Sequence, residues 1–278
     1  MVSEIYFSDL KSRYGRSLPD KVAELFKAAG FCHFIREGHL VAVKMHFGEP
    51  GNVGFLSPLY VREVVEQIKA CGGRPFLTDT NTLYIGGRKN AVDHLATALR
   101  HGFSYTTAGA PVLIADGLRG IDYEVVPVGG EHFSHVNIAS GIYHADALVV
   151  LSHFKGHALF GFGGAWKNLG MGCASPAGKQ TIHSDLKPRV KPSRCTSCGR
   201  CFAVCPAGAV SEIEEGKARI DRETCIGCGE CVVVCPVNAV IIQWKTDEAS
   251  IQRKTAEYSL GVMAGKENRA GFVNFLLN

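Results

Sequence analysis

Apolar residues recur with helical spacing in the first half of the chain and predict three helices there. The first begins at the cap Ser17, where Asp20 completes a capping box. The second begins at Ser57, and the third spans about Lys89 to Arg100. Their predicted inward faces are Val22, Leu25, Phe26 and Ala29 in the first, Val61, Val64, Val65 and Ile68 in the second, and Val92, Leu95, Ala96 and Leu99 in the third.

Between these helices lie short apolar runs that do not alternate with polar residues, which is typical of strands buried on both faces of a mostly parallel sheet. The runs are Leu40 to Met45, Pro75 to Thr78, Val112 to Ala115 and Ala147 to Leu151. Residues 1–187 are therefore predicted to form an α/β domain, a mostly parallel sheet with flanking helices. Residues 188–245 are predicted to be an inserted ferredoxin-like α+β module. Residues 246–278 are predicted to be a C-terminal helical segment that packs back on the α/β domain, since the small module offers no core for its apolar residues.

Composition and charge narrow the class of protein. The 278 residues are 46% hydrophobic and carry a formal net charge of +4, with no apolar run long enough to span a membrane. The basic residues are spread along the chain, which argues against a nucleic-acid partner. The first nine residues hold acids where a secretory signal would hold basic residues, so we expect a cytoplasmic protein that does not bind membranes.

Cysteine is the most informative residue type. Eight of the eleven cysteines lie between residues 195 and 235, in a chain without a visible leader, which favours metal binding over a disulfide scaffold. They form two runs of the same spacing, C-x2-C-x2-C-x3-C followed by proline. In bacterial ferredoxins with this spacing, three thiolates of a run bind one 4Fe-4S cluster and the fourth binds the other. Zinc, the alternative, usually takes two separated pairs of ligands.

The spacing predicts two 4Fe-4S clusters with crossed ligation. The first would be bound by Cys195, Cys198, Cys201 and Cys235, and the second by Cys225, Cys228, Cys231 and Cys205. The other cysteines, Cys32, Cys71 and Cys173, are expected to be buried small residues.

Polar motifs follow the predicted strands, where the carboxyl ends of parallel strands form ligand sites. They begin at His46, Asp79, Asp116 and Ser152, and we expect them to share one cleft. For Asp79 and Asp116, capping of a helix or turn is an equal alternative. The candidate catalytic residues come from the glycine-rich stretch after the last strand: His153, Lys155, His157, Lys167 and Asn168. A candidate second metal site is His46, His153, His157 and His183, although His46 and His183 taken singly are expected to be structural.

Several of these motifs together resemble the iron-sulfur proteins of domain of unknown function family 362. They are Val43–Glu49, Asp79–Asn81, Ser152–His157, Gly163–Gly172 and Gly178–Ser184, followed by the doubled cysteine run. The resemblance implies an α/β domain with an inserted ferredoxin module, of the kind found in anaerobic bacteria or archaea, and a further C-terminal segment that contains cysteine and aspartate.

Three functions remain open from the sequence. The first is an iron-sulfur redox protein, in enzyme terms an oxidoreductase, whose clusters exchange electrons with a small molecule or metal at the strand ends. The second is a non-catalytic electron carrier or iron-sulfur sensor that docks on a donor or acceptor protein. The third is a non-redox enzyme with an additional metal or anionic ligand and purely structural clusters. The module has seven basic residues against six acidic ones between residues 188 and 244, too little acidity to steer a diffusing carrier, which favours the first.

Overall fold

The computed structural model describes residues 4–84, 86–157, 160–183, 187–212, 216–225, 227, 229–242 and 248–277. Its strands are β1 Leu40–Lys44, β2 Arg74–Asp79, β3 Val112–Ile114, β4 Tyr123–Pro127, β5 His135–Ala139, β6 Ala147–His153, β7 Lys155–His157, β8 Gly161–Gly163, β9 Arg189–Val190, β10 Val210–Glu212, β11 Ala218–Ile220, β12 Val240–Ile241 and β13 Ala270–Phe275. Its α-helices are α1 Leu18–Ala28, α2 Pro58–Ala70, α3 Ala91–Arg100, α4 Tyr105–Ala108, α5 Ser140–Tyr143, α6 Ala165–Gly170, α7 Pro176–His183, α8 Arg200–Ala203, α9 Glu230–Val234 and α10 Glu248–Met263.

A five-stranded parallel sheet in the order β13-β6-β1-β2-β3 forms the centre of the α/β domain. Successive residues of its strands enter different cores: Val41 and Val43 face α1 and α2, whereas Ala42 faces α6 and α10. Both faces are therefore apolar, which explains why the strands show no alternation in the sequence. The predicted α/β class and mostly parallel sheet with flanking helices are confirmed.

The first two predicted helices are confirmed, but the inward face predicted for the third is wrong. In α2, the four predicted residues are fully buried, and α1 begins with the predicted capping box between Ser17 and Asp20. In α3, Val92 and Leu99 are 66% and 52% exposed, whereas His94 and Ala98 are fully buried. His94 lies inward because it meets the buried Asp79 at the end of β2.

The C-terminal stretch holds an element that the pattern did not predict. Helix α10 packs on α6 and β5, as a helix that returns to the α/β domain would. After it, β13 pairs in parallel with β6, and Phe275 lies beside His153 in the register. The segment expected to be helical thus also supplies an edge strand of the central sheet.

The cysteines outside the two runs differ from the prediction. Cys173 is buried, as expected. Cys32 is exposed and forms a disulfide with Cys71, with their Cα atoms 5.3 Å apart, so the expectation that both are simply buried residues is wrong. The packing of α1 against α2 brings the turn after α1 next to the end of α2, where Cys71 lies. Among the described residues, no helix is long and apolar enough to cross a membrane.

Candidate functional site: a charged cleft beside two cysteine cavities

A buried aspartate organises the polar centre at the carboxyl ends of the strands. Asp79, the last residue of β2, accepts Lys44 Nζ at 3.0 Å on Oδ1 and Arg88 Nη1 at 2.9 Å on Oδ2. Lys44 is the last residue of the neighbouring strand β1, so the parallel register itself brings the two charges together. Burial alone would raise the pKa of Asp79, but Lys44 and Arg88 outweigh it and hold the pKa well below its ordinary value.

Two further contacts surround this ion group. His94 Nε2 lies 3.6 Å from Asp79 Oδ2, and burial lowers the pKa of the imidazole. On its other side Arg88 meets Glu49 and Tyr84, whose hydroxyl lies 2.7 Å from the guanidinium. Glu49 is half-buried, so the group reaches from the domain interior to the solvent-facing side of the cleft.

Asn168, a predicted catalytic candidate, lies at this centre in a positioning role. Its Oδ1 accepts Lys44 Nζ at 2.6 Å, and its Nδ2 donates to Leu151 O at 2.9 Å and to Ser152 Oγ at 3.0 Å. Both ends of the amide are used inside the protein. Asn168 therefore aims Lys44 towards Asp79.

A second buried unit lies on the β3 side. Lys179 Nζ donates to Asn81 O at 2.7 Å and to Ala174 O at 2.9 Å, and Asp116 accepts Asn81 Nδ2 at 2.9 Å and its backbone N–H. Burial raises the pKa of Asp116 to about 7 and lowers that of Lys179 to about 8. Asp116 thus fixes the turn after β2, which agrees with the capping alternative, while Asp79 binds charged groups instead.

The mouth of the cleft collects most of the remaining candidates. The side chain of His46 is exposed, yet its pKa is held well below the ordinary value, first by the surrounding protein and then by Arg88. Burial also lowers the pKa of Lys167 to about 8, with Lys155 and Lys44 adding repulsion.

Two further histidines, His157 and His183, are affected by the charge of Lys167. Burial, followed by Lys167, lowers the pKa of His183 to about 4, and the same two causes lower that of His157. The ring nitrogens of His153 are 3.0 Å from Gly54 O and 3.2 Å from Leu277 O, so backbone carbonyls occupy both. His46, Lys155, His157, Lys167 and His183 are therefore linked by electrostatic interactions. His153, at the end of β6, is held by backbone carbonyls.

The cysteines surround two cavities, divided between them as the crossed pattern predicts. One cavity is lined by Cys195, Cys198, Cys201 and Cys235. The other is lined by Cys205, Cys225 and Cys231, while Cys228 lies outside the described residues. Within the described part of the chain, no three His, Cys, Asp or Glu side chains converge to hold a single metal ion. The candidate second metal site, His46, His153, His157 and His183, therefore stays a prediction without a converging set of ligands.

The two cysteine runs accept equivalent backbone hydrogen bonds. Ala209 N–H donates to Cys205 Sγ at 3.2 Å, and thirty residues on Ala239 N–H donates to Cys235 Sγ at 3.1 Å. Hydrogen bonds to the sulfurs are one of the means by which proteins tune clusters. The Ala218 N–H lies 3.5 Å from Cys195 Sγ and lowers the pKa of that thiol. In each run a glycine with positive φ, Gly199 at 70° and Gly229 at 78°, turns the chain into the short helix that carries the third cysteine.

The loop between β2 and α3 joins the cleft to the cysteine module. It carries Arg88, and its Leu83 packs into the apolar cluster that contains Cys201, Cys225, Cys231 and Cys235. The next residue, Lys89, donates a hydrogen bond to Asn238 Oδ1. Tyr123 OH donates to Glu230 Oε1 at 2.6 Å, which adds a polar contact between the module and the α/β domain. The cysteine cavities therefore lie directly against the wall of the cleft.

Comparisons with known proteins place the chain in a family. The model of the family described as domain of unknown function (DUF362) matches residues 41–273. The chain belongs to this family. The DUF362 region runs from β1 into β13 and includes the cleft and both cysteine runs, so the resemblance predicted from the motifs is confirmed at the level of the family.

Beyond the DUF362 model the comparisons add little. No curated protein matches the chain. Among solved structures, the lactate racemase apoprotein from Thermoanaerobacterium thermosaccharolyticum is similar over 58% of this chain and 39% of that chain, with 16% identity and a TM-score of 0.41. The DUF362 chain thus spans about two fifths of that protein.

Several residues of the cleft were missed from the sequence. Lys44 carries a signal that could have revealed it, because a lysine that ends an apolar buried strand must have a partner charge nearby. His94 carries no such signal, since the helical pattern pointed to the other face of α3. Arg88 lies in the loop before that helix, where no periodicity marks a buried residue. Lys179 lies in α7 among small residues and shows no periodicity that would mark it as buried.

Proposed function

We propose that this DUF362 protein is an iron-sulfur redox protein in which two 4Fe-4S clusters exchange electrons with a ligand bound in the strand-end cleft. The observation that carries the proposal is the partition of the cysteines between two cavities. Bound clusters would supply one-electron transfer. The ligand would be held and oriented by the residues of the cleft.

The cavity lining fits clusters better than single ions. In a 4Fe-4S cluster the four thiolates bind four different irons at separate corners, so they surround a volume and do not meet at a point. The described cysteines do the same, which agrees with the lack of a converging set of metal ligands among the described residues. For Cys201, burial and then the neighbouring Cys198 and Cys195 raise the pKa of the free thiol. Iron would relieve this repulsion by sharing the charge of the thiolates.

The position of the module supports an internal path for electrons. Gly229 lies so close to Gln180 that a Cβ there would come within 2.6 Å of the glutamine side chain. Gln180 adjoins Lys179 in α7, and Lys179 binds the loop after β2. An electron would thus pass from the second cavity to the cleft through tightly packed side chains.

The first cavity is the one that an external redox partner would reach. Cys198 is exposed in the first cavity, whereas Cys225 and Cys231 of the second are buried. A donor or acceptor protein would reach the first cluster from solvent, and the second cluster would pass electrons inward. The carrier hypothesis shares the exposed end but gives the charged cleft no role.

The test is metal and sulfide analysis of protein purified without oxygen, followed by electron paramagnetic resonance after reduction. We expect about eight iron atoms and about eight sulfides per chain. Cys201→Ala should lose iron, while the matched control Cys173→Ala, a buried cysteine outside the module, should keep it. Zinc in place of iron after anaerobic reconstitution would contradict the proposal.

A further inference from the structure

We propose that the mouth of the cleft is a binding site for a small oxyanion, a carboxylate or a phosphate, held by Lys155 and Lys167. The role of this anion as the redox ligand rests on the proposed function, but its binding does not. The site is distinct from the buried ion group of Asp79, which lies beneath it.

The acidic residues near the cleft already have cationic partners. Asp79 already binds two cations, Lys44 and Arg88, and Glu49 shares Arg88. Among the described residues, no carboxylate lies within 4.0 Å of Lys155 or Lys167. Within the described part of the chain, the interior acids are thus committed, and neither Lys155 nor Lys167 has a direct ion pair.

The surroundings concentrate that charge. Lys167 Nζ lies 5.9 Å from the centroid of the Phe160 ring, and the His157 ring lies 5.3 Å from the same ring. Lys155 Nζ donates to Gly54 O at 3.3 Å, which holds it at the rim. A cation beside an aromatic ring attracts an anion more strongly than a fully solvated cation, because the low-dielectric ring reduces the screening of its charge by water.

The same geometry argues against other ligands. A metal cation would be repelled by Lys155 and Lys167, and it would find no converging set of three ligands among the described residues. Nucleic-acid binding uses a stripe of basic residues along one face or helix, whereas this site has two lysines, so a nucleic-acid backbone does not fit the arrangement. A compact oxyanion is attracted by the two lysines and does not need an extended basic surface.

The experiment is isothermal titration of the anaerobically purified whole chain with inorganic phosphate and, separately, with malonate, at constant ionic strength. Lys167→Met keeps the length of the side chain and removes its charge. We expect it to weaken binding about tenfold or more, as for the loss of a buried charged partner. Lys27→Met, at an exposed lysine of α1, should bind like the parent. The anion that binds more tightly identifies the ligand as a phosphate or a carboxylate.

A charge-preserving variant and an iron assay complete the design. Lys167→Arg should restore most of the affinity, which a purely structural role would not predict. Failure of the parent to bind either anion, or equal binding by the parent and Lys167→Met, would overturn the oxyanion site. Iron and sulfide are measured on the same samples, so a chain with both clusters and no anion binding refutes this inference alone. A chain that binds the anion and lacks iron refutes the redox function alone.

Discussion

The molecule has two polar centres that are built in opposite ways. In the cleft, the chain itself supplies the partners of the deeply buried charges: Asp79 has Lys44 and Arg88, and Lys179 has the carbonyls of Asn81 and Ala174. In the module, cysteines surround two cavities. The hydrogen bonds described for their sulfurs include those from the backbone N–H groups of Ala209 and Ala239. The first centre can therefore exist as soon as the sheet forms. On the proposed function, the second would need a group that the chain does not provide.

Removal of iron should destabilise the cysteine module much more than the α/β domain. The module is small, with two-residue and three-residue strands, so bound clusters would contribute much of its folding free energy. After chelation we expect amide hydrogen exchange to become fast in residues 188–242, while β1, β2 and β6 stay protected. Equal protection in both regions after complete loss of iron would contradict the view that the module depends on its clusters.

Substitution of the central aspartate tests the other half of the comparison. Asp79→Asn leaves Lys44 and Arg88 without their shared charge in a buried site, and we expect a loss of about 3 to 5 kcal/mol in the free energy of unfolding. The matched control is Glu66→Gln, which breaks an exposed ion pair with Lys69 and should cost less than about 1 kcal/mol. Denaturant unfolding measures both. Similar losses would mean that the buried group is not what holds the strand ends.

The crossed ligation gives an effect confined to one cluster. Cys205 belongs to the first run in sequence but lines the second cavity, and Cys235 does the reverse. Cys205→Ser should therefore weaken the signal of the cluster held by Cys225 and Cys231, and Cys235→Ser that of the other. Paramagnetic resonance of the two reduced variants distinguishes the signals. Damage by each variant to the cluster of its own run would contradict the crossed arrangement.

The smallest expected effect is a pH dependence of anion binding. Burial lowers the pKa of Lys167 to about 8, and the charged groups that act on it are Lys155, Lys44, Arg88 and Asp79. Binding requires protonated Lys167, and the bound anion would raise its pKa further. Affinity should thus be full below about pH 8 and decline as the pH rises above it. Titrations at several pH values measure this decline, which should be much smaller in Lys167→Arg, and an equally steep decline there would assign it to another group.

The sequence predicted what depends on local pattern and failed where distant residues decide. The stripe of α2 and the strands of the sheet follow from hydrophobic spacing. The two clusters expected from the cysteine spacing stay a prediction. The face of α3 was predicted wrongly because His94 is drawn inward by Asp79, a residue of another element. Lys179 and β13 were missed because their partners, Asn81 and β6, lie about a hundred residues away in the chain.

A redox titration monitored by paramagnetic resonance tests most directly whether anion binding in the cleft affects the clusters. The potentials of both clusters would be measured with and without a saturating concentration of whichever of phosphate or malonate binds more tightly. A bound anion adds negative charge near the clusters, so the account predicts lower midpoint potentials in its presence and no such shift in Lys167→Met. Potentials that stay the same while the anion is bound, or a reduced protein without cluster signals, would contradict it.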